Sequence, residues 1–163
     1  MEAASIREEV DTVENYIYIL NVRFAGDIHY ASHLNDNALD YRIPSMTLQP
    51  LVENAVNHGI RGIDWPGEIH LSVEDRGEHI EIRVADNGVG IPPEKLKEIP
   101  RAQPVQDSQV STGIGIGNVI SRLELYYNTG GIFRIESKGE NQGTTVILTI
   151  PKTAAPKAPE RVS

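Results

Sequence analysis

The chain has 163 residues, 39% hydrophobic and 23% charged, with no cysteine and a net charge of −8. That composition reads as one globular domain of ordinary size and excludes disulfides, Cys-ligated zinc, iron–sulfur clusters and a Cys nucleophile. Its acidity argues against nucleic acid as a partner, because binding through phosphates takes a Lys/Arg patch. No apolar run approaches the roughly 20 residues needed to span a bilayer, and the opening MEAASIREEV does not read as a signal peptide.

Taken in order, residues 3–24 predict a helix, with Ile6, Val10, Val13, Ile17 and Leu20 on a heptad-spaced seam. Such a seam can pack on its own domain, form a dimer contact, or be the end of a longer helix. Ile28–Leu34 predicts a strand, and Asn35–Asn37 a turn. Pro44 keeps Ile43 extended, and Ser45 is the expected N-cap of the helix that follows.

That helix, Leu48–Gly59, has two faces. Leu48, Leu51, Val52, Ala55 and Val56 form an apolar stripe. Glu53, Asn54, Asn57 and His58 fall on another, since residues three and four apart are neighbours on a helix. The second stripe holds a carboxylate, two amides and an imidazole, short groups able to ligate, where a solvated face usually carries long charges. By itself it is also compatible with an ordinary polar outer face.

A Gly/Pro loop leads to a hairpin in which Ile69, Leu71 and Val73, then Ile80, Ile82 and Val84, alternate with polar residues. Its second strand runs into Asp86-Asn-Gly-Val-Gly90. Residues 91–112 are mostly polar and irregular, with one short helical stretch at 92–98, the signature of a lid or an insert. Gly113-Ile-Gly-Ile-Gly117 then opens a helix with Val119, Ile120, Leu123 and Tyr126/Tyr127 as its apolar face, and Asn128–Gly131 ends it. Strands at 132–138 and 144–150 follow, and residues 152–163 read as a disordered tail. Hairpin-linked strands with helices in separate blocks predict an α+β fold, a two-layer sandwich of a mixed, mainly antiparallel sheet with helices on one face.

The two glycine loops can bind a ligand, though each by itself also reads as an ordinary feature, the first a strand turn and the second a flexible loop before a helix. A carboxylate only accepts hydrogen bonds, so Asp86 suits a group offering N–H₂, such as the adenine amine. Gly88 and Gly90 allow close approach of backbone. Glycines ahead of a helix expose N–H groups to a phosphate. The second loop is neither a Rossmann nor a Walker A pattern.

In this order and at these spacings, the stretches resemble the Bergerat-type ATP-binding fold of sensor histidine kinases, gyrase, heat-shock-90 and mismatch-repair ATPases. Leu48–His58 looks like the N box, Asp86–Gly90 the G1 box, residues 91–112 the ATP lid and Gly113–Gly117 the G2 box. The wording L-Q-P-L-V-E-N-A-V-N-H-G, then G-I-G-I-G-N-V-I-S-R-L-E-L-Y-Y, is similar to the LytS-like histidine kinases. The resemblance implies ATP and Mg²⁺ as cofactors. Asn54 would hold Mg²⁺, His58 would lie beside adenine and Asp86 would take its amine. Gly88 and Gly90 would admit the base. Gly113, Ile114 and Gly115 would meet the phosphates, and Asn57 stands where many kinases carry a phosphate-binding Lys. Glu53 would polarise a water, act as a base, or only order the helix.

The resemblance also implies transfer of the γ-phosphate to a His and then to a response regulator. The phospho-acceptor motif of the family surrounds none of the five His residues, so the acceptor is expected outside this chain. Residues 1–24 would be the end of a dimerisation region, 25–151 the kinase domain and 152–163 a tail. The parent would be a membrane-bound homodimer with this part in the cytoplasm. Ser111, where the G2 box often has Gly, and Asn57 depart from the pattern. They keep open a degenerate module that acts through protein partners, beside a serine kinase or ATPase of the same fold.

Overall fold

The seam of the first segment turns inward. In the computed structural model, which describes residues 2–23, 28–92, 94 and 116–152, Ile6, Val10, Val13 and Ile17 are buried in the same core as the sheet. Helix α1 (Ile6–Arg23) is therefore packed on its own domain. It begins later than expected, because Ala3–Ser5 form a strand, β1, paired antiparallel with β3 (Arg42–Pro44). A capping box starts the helix. The Glu8 N–H donates to Ser5 Oγ and the Ser5 N–H to Glu8 Oε1, each at 3.0 Å, which satisfies two otherwise free donors.

The main sheet has five strands: β2 (Ile28–Leu34), β4 (Gly67–Asp75), β5 (His79–Asp86), β6 (Phe133–Glu136) and β7 (Thr144–Pro151). Their order is β2-β4-β5-β7-β6. Among the described residues only β2 and β4 are parallel, so the sheet is mixed and mainly antiparallel. Strand β6 is shorter at both ends than the expected 132–138.

Period-two alternation sorts the strands. Ile69, Leu71, Val73, Ile80, Ile82, Val84, Val146, Leu148 and Ile150 bury one face against the helices. At roughly 25 cal/mol per Å² of apolar surface removed from water, this layer is the main source of stability. On the other face Glu81 binds Arg76 at 2.8 Å and Arg83 at 3.2 Å, a cross-turn and same-strand ion-pair set.

Helix α2 (Leu48–Asn54) continues as a π-helical turn, Ala55–Ile60. Helix α3 (Gly117–Tyr127) buries Val119, Ile120, Leu123 and Tyr127, the face its sequence predicts. Asn128, at φ 55°, ends it in the left-handed conformation that Asn tolerates. The predicted helix at 92–98, the lid and Gly113–Gly115 lie outside the described residues, apart from 91, 92 and 94. So does the tail beyond Lys152, which is itself tied to Asp75 at 2.7 Å.

Candidate functional site

The helix bearing the short polar stripe is held at its start from outside. Ser45 is not its cap. Thr47 occupies that position and makes no side-chain capping bond. The buried Glu9 carboxylate of α1 caps it instead, accepting from the N–H groups of Met46 (3.0 Å), Thr47 (2.9 Å) and Leu48 (2.9 Å). Two donors that the start of α2 leaves free, and the Met46 N–H just before it, are thus met by one charge, in the place where the helix dipole favours a negative group.

The apolar stripe is buried as predicted, and the polar stripe runs from α2 into the π turn. From Ala55 the chain closes π rather than α turns, with the Arg61 N–H on the Val56 carbonyl at 2.8 Å. A π turn holds more residues than an α turn, so the phase of the wheel shifts within the motif. Glu53 and Asn54 are half-buried on α2, whereas Asn57 and His58 are exposed on the π turn. Glu53 Oε2 accepts from Gln49 Nε2 at 2.7 Å, one helical turn back. It also lies close enough to Tyr16 of α1 that, after burial, its charge helps hold the Tyr16 phenol above its ordinary range.

Asn54 is different. Its Oδ1 is buried and has no hydrogen-bond partner, one of two such side-chain atoms among the described residues, the other being the Tyr127 hydroxyl. A buried acceptor left unpaired costs about 1–3 kcal/mol. An amide oxygen held bare in this way fits a hard cation, which oxygen ligands suit.

The G1 turn sits at the end of β5. Asp86 shares the parity of Ile80, Ile82 and Val84, so its carboxylate points to the helical side of the sheet. Burial pushes it up to about 6, while the N–H groups of Gly88 and Thr144 hold it down; the Gly88 bond is 2.8 Å. The carboxylate faces Gly59: a β-carbon there would stand 2.9 Å from its Cγ and both oxygens.

The glycines of this turn are explained within the chain. A side chain on Gly88 would fall on the Gly59 carbonyl, and one on Gly90, at φ 73°, on the Gly139 carbonyl. The close approach at these two glycines is between backbones within the chain.

Several contributors were not singled out from the sequence. Gly59 and Gly143 give the space around Asp86, since a β-carbon on Gly143 would meet the Asp86 carbonyl. The β6–β7 turn braces the G1 loop through Asn141 N–H to Val89 O (2.6 Å), Ile91 N–H to Ser137 Oγ (3.0 Å) and Ser137 Oγ to Gly143 O (2.8 Å). Asn87 pins the preceding loop, donating to Pro66 O and accepting from the Glu68 N–H, both at 2.8 Å. The G-E-N-Q-G run marks a turn, but no local signal shows where it docks. A cavity of about 650 Å³ lies elsewhere, between the end of α1, the π turn and the Arg61–Gly67 loop, and is lined by neither Asn54 nor Asp86.

The structure thus groups Gly59, Asp86 and Gly88 at one helix end and one strand end, with Asn54 on the helix that leads there. Gly113, Ile114, Gly115 and Ser111 are outside the described residues. The arrangement can offer a cation an oxygen and a ligand amine an acceptor.

Residues 39–154 match the model of the histidine kinase-, DNA gyrase B- and HSP90-like ATPases. The chain is 33% identical to the sensor histidine kinase YpdA of Escherichia coli, covering 96% of this chain and 26% of that protein. It is 31% identical to the sensor protein LytS of Streptococcus mutans, covering 90% and 24%. It therefore spans about a quarter of the length of these curated relatives. Its fold matches that of the histidine kinase ThkA, solved in complex with the response regulator TrrA, with a TM-score of 0.64 at 21% identity, covering 94% of this chain and 42% of that one.

Proposed function

The chain belongs to the histidine kinase-, DNA gyrase B- and HSP90-like ATPase family as a sensor histidine kinase catalytic ATPase domain of the LytS type, and on that footing we propose that it binds Mg·ATP and transfers the γ-phosphate to a His outside this chain. The observation that carries the proposal is the buried, unpartnered Oδ1 of Asn54, on the helix whose continuation reaches the Asp86 carboxylate.

Asn54 would hold Mg²⁺, which when bound neutralises phosphate charge and offsets the repulsion of an acidic protein. Asp86, ionised above its raised pKa of about 6, accepts the adenine amine. The N–H groups of residues 113–115 are candidates for the phosphates. His58 and Asn57, exposed on the π turn, line the approach to the base and to the phosphates. Glu53, with one oxygen on Gln49, orders α2; this favours scaffolding over a chemical step. Phosphoryl transfer asks mainly for positioning and charge neutralisation, which these groups supply.

The same reading makes residues 1–24 the end of a dimerisation region, 25–151 the kinase domain and 152–163 a tail. The partners are the phospho-acceptor domain and a response regulator. The parent is a membrane-bound homodimer with this domain in the cytoplasm; among the described residues, no helix is long and apolar enough to cross a membrane. Titration calorimetry with Mg·ATP tests the core of the proposal. Heat and a raised melting temperature are expected, without autophosphorylation of the fragment. A folded sample giving neither would instead indicate a module that acts through protein partners.

A further inference from the structure

Three elements meet on the backbone at Met46. Glu9 of α1 takes the N–H groups of Met46, Thr47 and Leu48. Arg122 of α3 takes the carbonyls, its Nη2 donating to Ser45 O at 2.7 Å and to Met46 O at 3.2 Å, with Nη1 3.5 Å from Met46 O. Met46 between them has φ 63°, a left-handed conformation that a non-glycine residue rarely holds without outside support. Its own side chain supplies little, being 48% exposed. Nor does α2 cap itself: Thr47 Oγ1 donates backwards to Pro44 O at 2.6 Å.

We propose that Glu9 and Arg122 are positioning residues for the nucleotide site, gripping residues 45–48 from both sides and so setting where α2 places Asn54. The inference rests on the reading of Asn54 as the Mg²⁺-holding residue. From Leu48 to Asn54 there are six helical steps of 1.5 Å, about 9 Å, along a single rigid element. A shift at the clamped end therefore arrives at the Asn54 amide almost unchanged. The two charges are used on a third element and not on each other. Glu9 precedes the kinase boxes in the chain, and Arg122 stands on the helix that leaves the second glycine loop. Displacement of either helix is in this way converted into displacement of the residue that meets the cation. Loss of a group that orients a metal ligand typically lowers metal affinity 10- to 100-fold, whereas loss of a purely structural contact weakens every ligand in proportion to the folded fraction.

The test uses the full 163-residue chain as wild type, Glu9→Gln, Arg122→Gln and Arg122→Lys. Calorimetry measures the affinity for ATP with Mg²⁺ and for ATP in EDTA, beside the melting temperature. Both Gln variants are expected to lose about tenfold or more in Mg·ATP affinity while metal-free ATP, held through Asp86, keeps its affinity. Arg122→Lys should recover part of the loss, since an ammonium can reach one carbonyl but lacks the planar fork that spans two. If both forms of ATP weaken by one factor, or neither weakens, the inference is overturned. Should the Gln variants not fold, the same ratio in Arg122→Lys decides it. A wild type that gains nothing from Mg²⁺ overturns the reading of Asn54, and this inference with it. A wild type that gains from Mg²⁺ beside variants that match it overturns the positioning role alone.

Discussion

The carboxylate of Asp86 lies against the α-carbon of Gly59, so close that a β-carbon there would stand 2.9 Å from its Cγ and both its oxygens. The two residues are 27 positions apart, and their contact joins the end of the π turn to the end of β5. Gly59→Ala must push the Asp86 carboxylate away. The expected result is a loss of nucleotide affinity on the order of tenfold or more, from misplacement of one acceptor, with a stability cost of about 1–3 kcal/mol for overpacking. Calorimetry with ATP beside a urea titration measures both; unchanged affinity in a folded protein would show that Asp86 does not face the ligand.

Asp86 also predicts a trade of stability for function. Its folded pKa, about 6, is raised above the ordinary value of 3.8 by burial. Burial of the ionised form therefore disfavours the ligand-free fold at neutral pH, by roughly 3 kcal/mol at 1.36 kcal/mol per unit. Asp86→Asn should stabilise the empty protein at pH 7.5 and weaken ATP binding severely. For the wild type, the favourable contribution of the protonated group is complete below about pH 3.8 and is lost as pH rises through 6. The variant's advantage should accordingly shrink on acidification, as thermal melts from pH 7.5 to 4.5 will show.

The same titration governs the ligand. The adenine amine needs an acceptor, and the protonated carboxyl offers a poorer one. ATP affinity should fall as pH drops below about 6, by up to tenfold per unit while Asp86 is the group titrating. Asp86→Asn should flatten that limb. A wild-type profile level from pH 7 to 5 would remove adenine from the Asp86 assignment.

Asn54→Ala separates function from stability more sharply. The residue carries a buried oxygen with no partner, so its removal discards an unsatisfied group rather than a bond. The melting temperature without ligand should change little, the equivalent of about 1 kcal/mol in either direction. The gain in ATP affinity on adding Mg²⁺ should disappear. A variant that loses stability and keeps its Mg²⁺ dependence would make Asn54 structural.

Gly88→Ala tests the backbone contact. Its methyl would fall on the Gly59 carbonyl, which is main chain and cannot swing aside. The bond between Val89 N–H and Gly59 O, 2.9 Å long, would be strained with it. A destabilisation of about 2 kcal/mol or more is expected, a fall of roughly 4–8 °C in a domain of this size. Gly117→Ala is the control, because among the described residues nothing lies within 4 Å of a β-carbon there.

Much of this protein was legible in its sequence because the signals are local. The hairpin's period-two alternation set which side of the sheet Ile69 to Val84 bury, and the same parity sent Asp86 toward the helices. The apolar faces of α2 and α3 follow from helical spacing, and the wording of the glycine boxes carried the family. Other features depended on contacts between distant segments. A heptad seam looks the same whether it meets a partner chain or its own core, and only packing directed Ile6 to Ile17 inward. Ser45 has the chemistry of a cap, but Glu9, 38 residues before Thr47, brings a full charge and three bonds to the site. Nothing local in the sequence marks the π turn at Ala55–Ile60, which brings Gly59 against Asp86 and Gly88. The sequence alone singled out the candidate residues for a nucleotide. The tertiary structure decided which of them are buried and unpaired, because desolvation and hydrogen-bond partners arise only when remote segments meet.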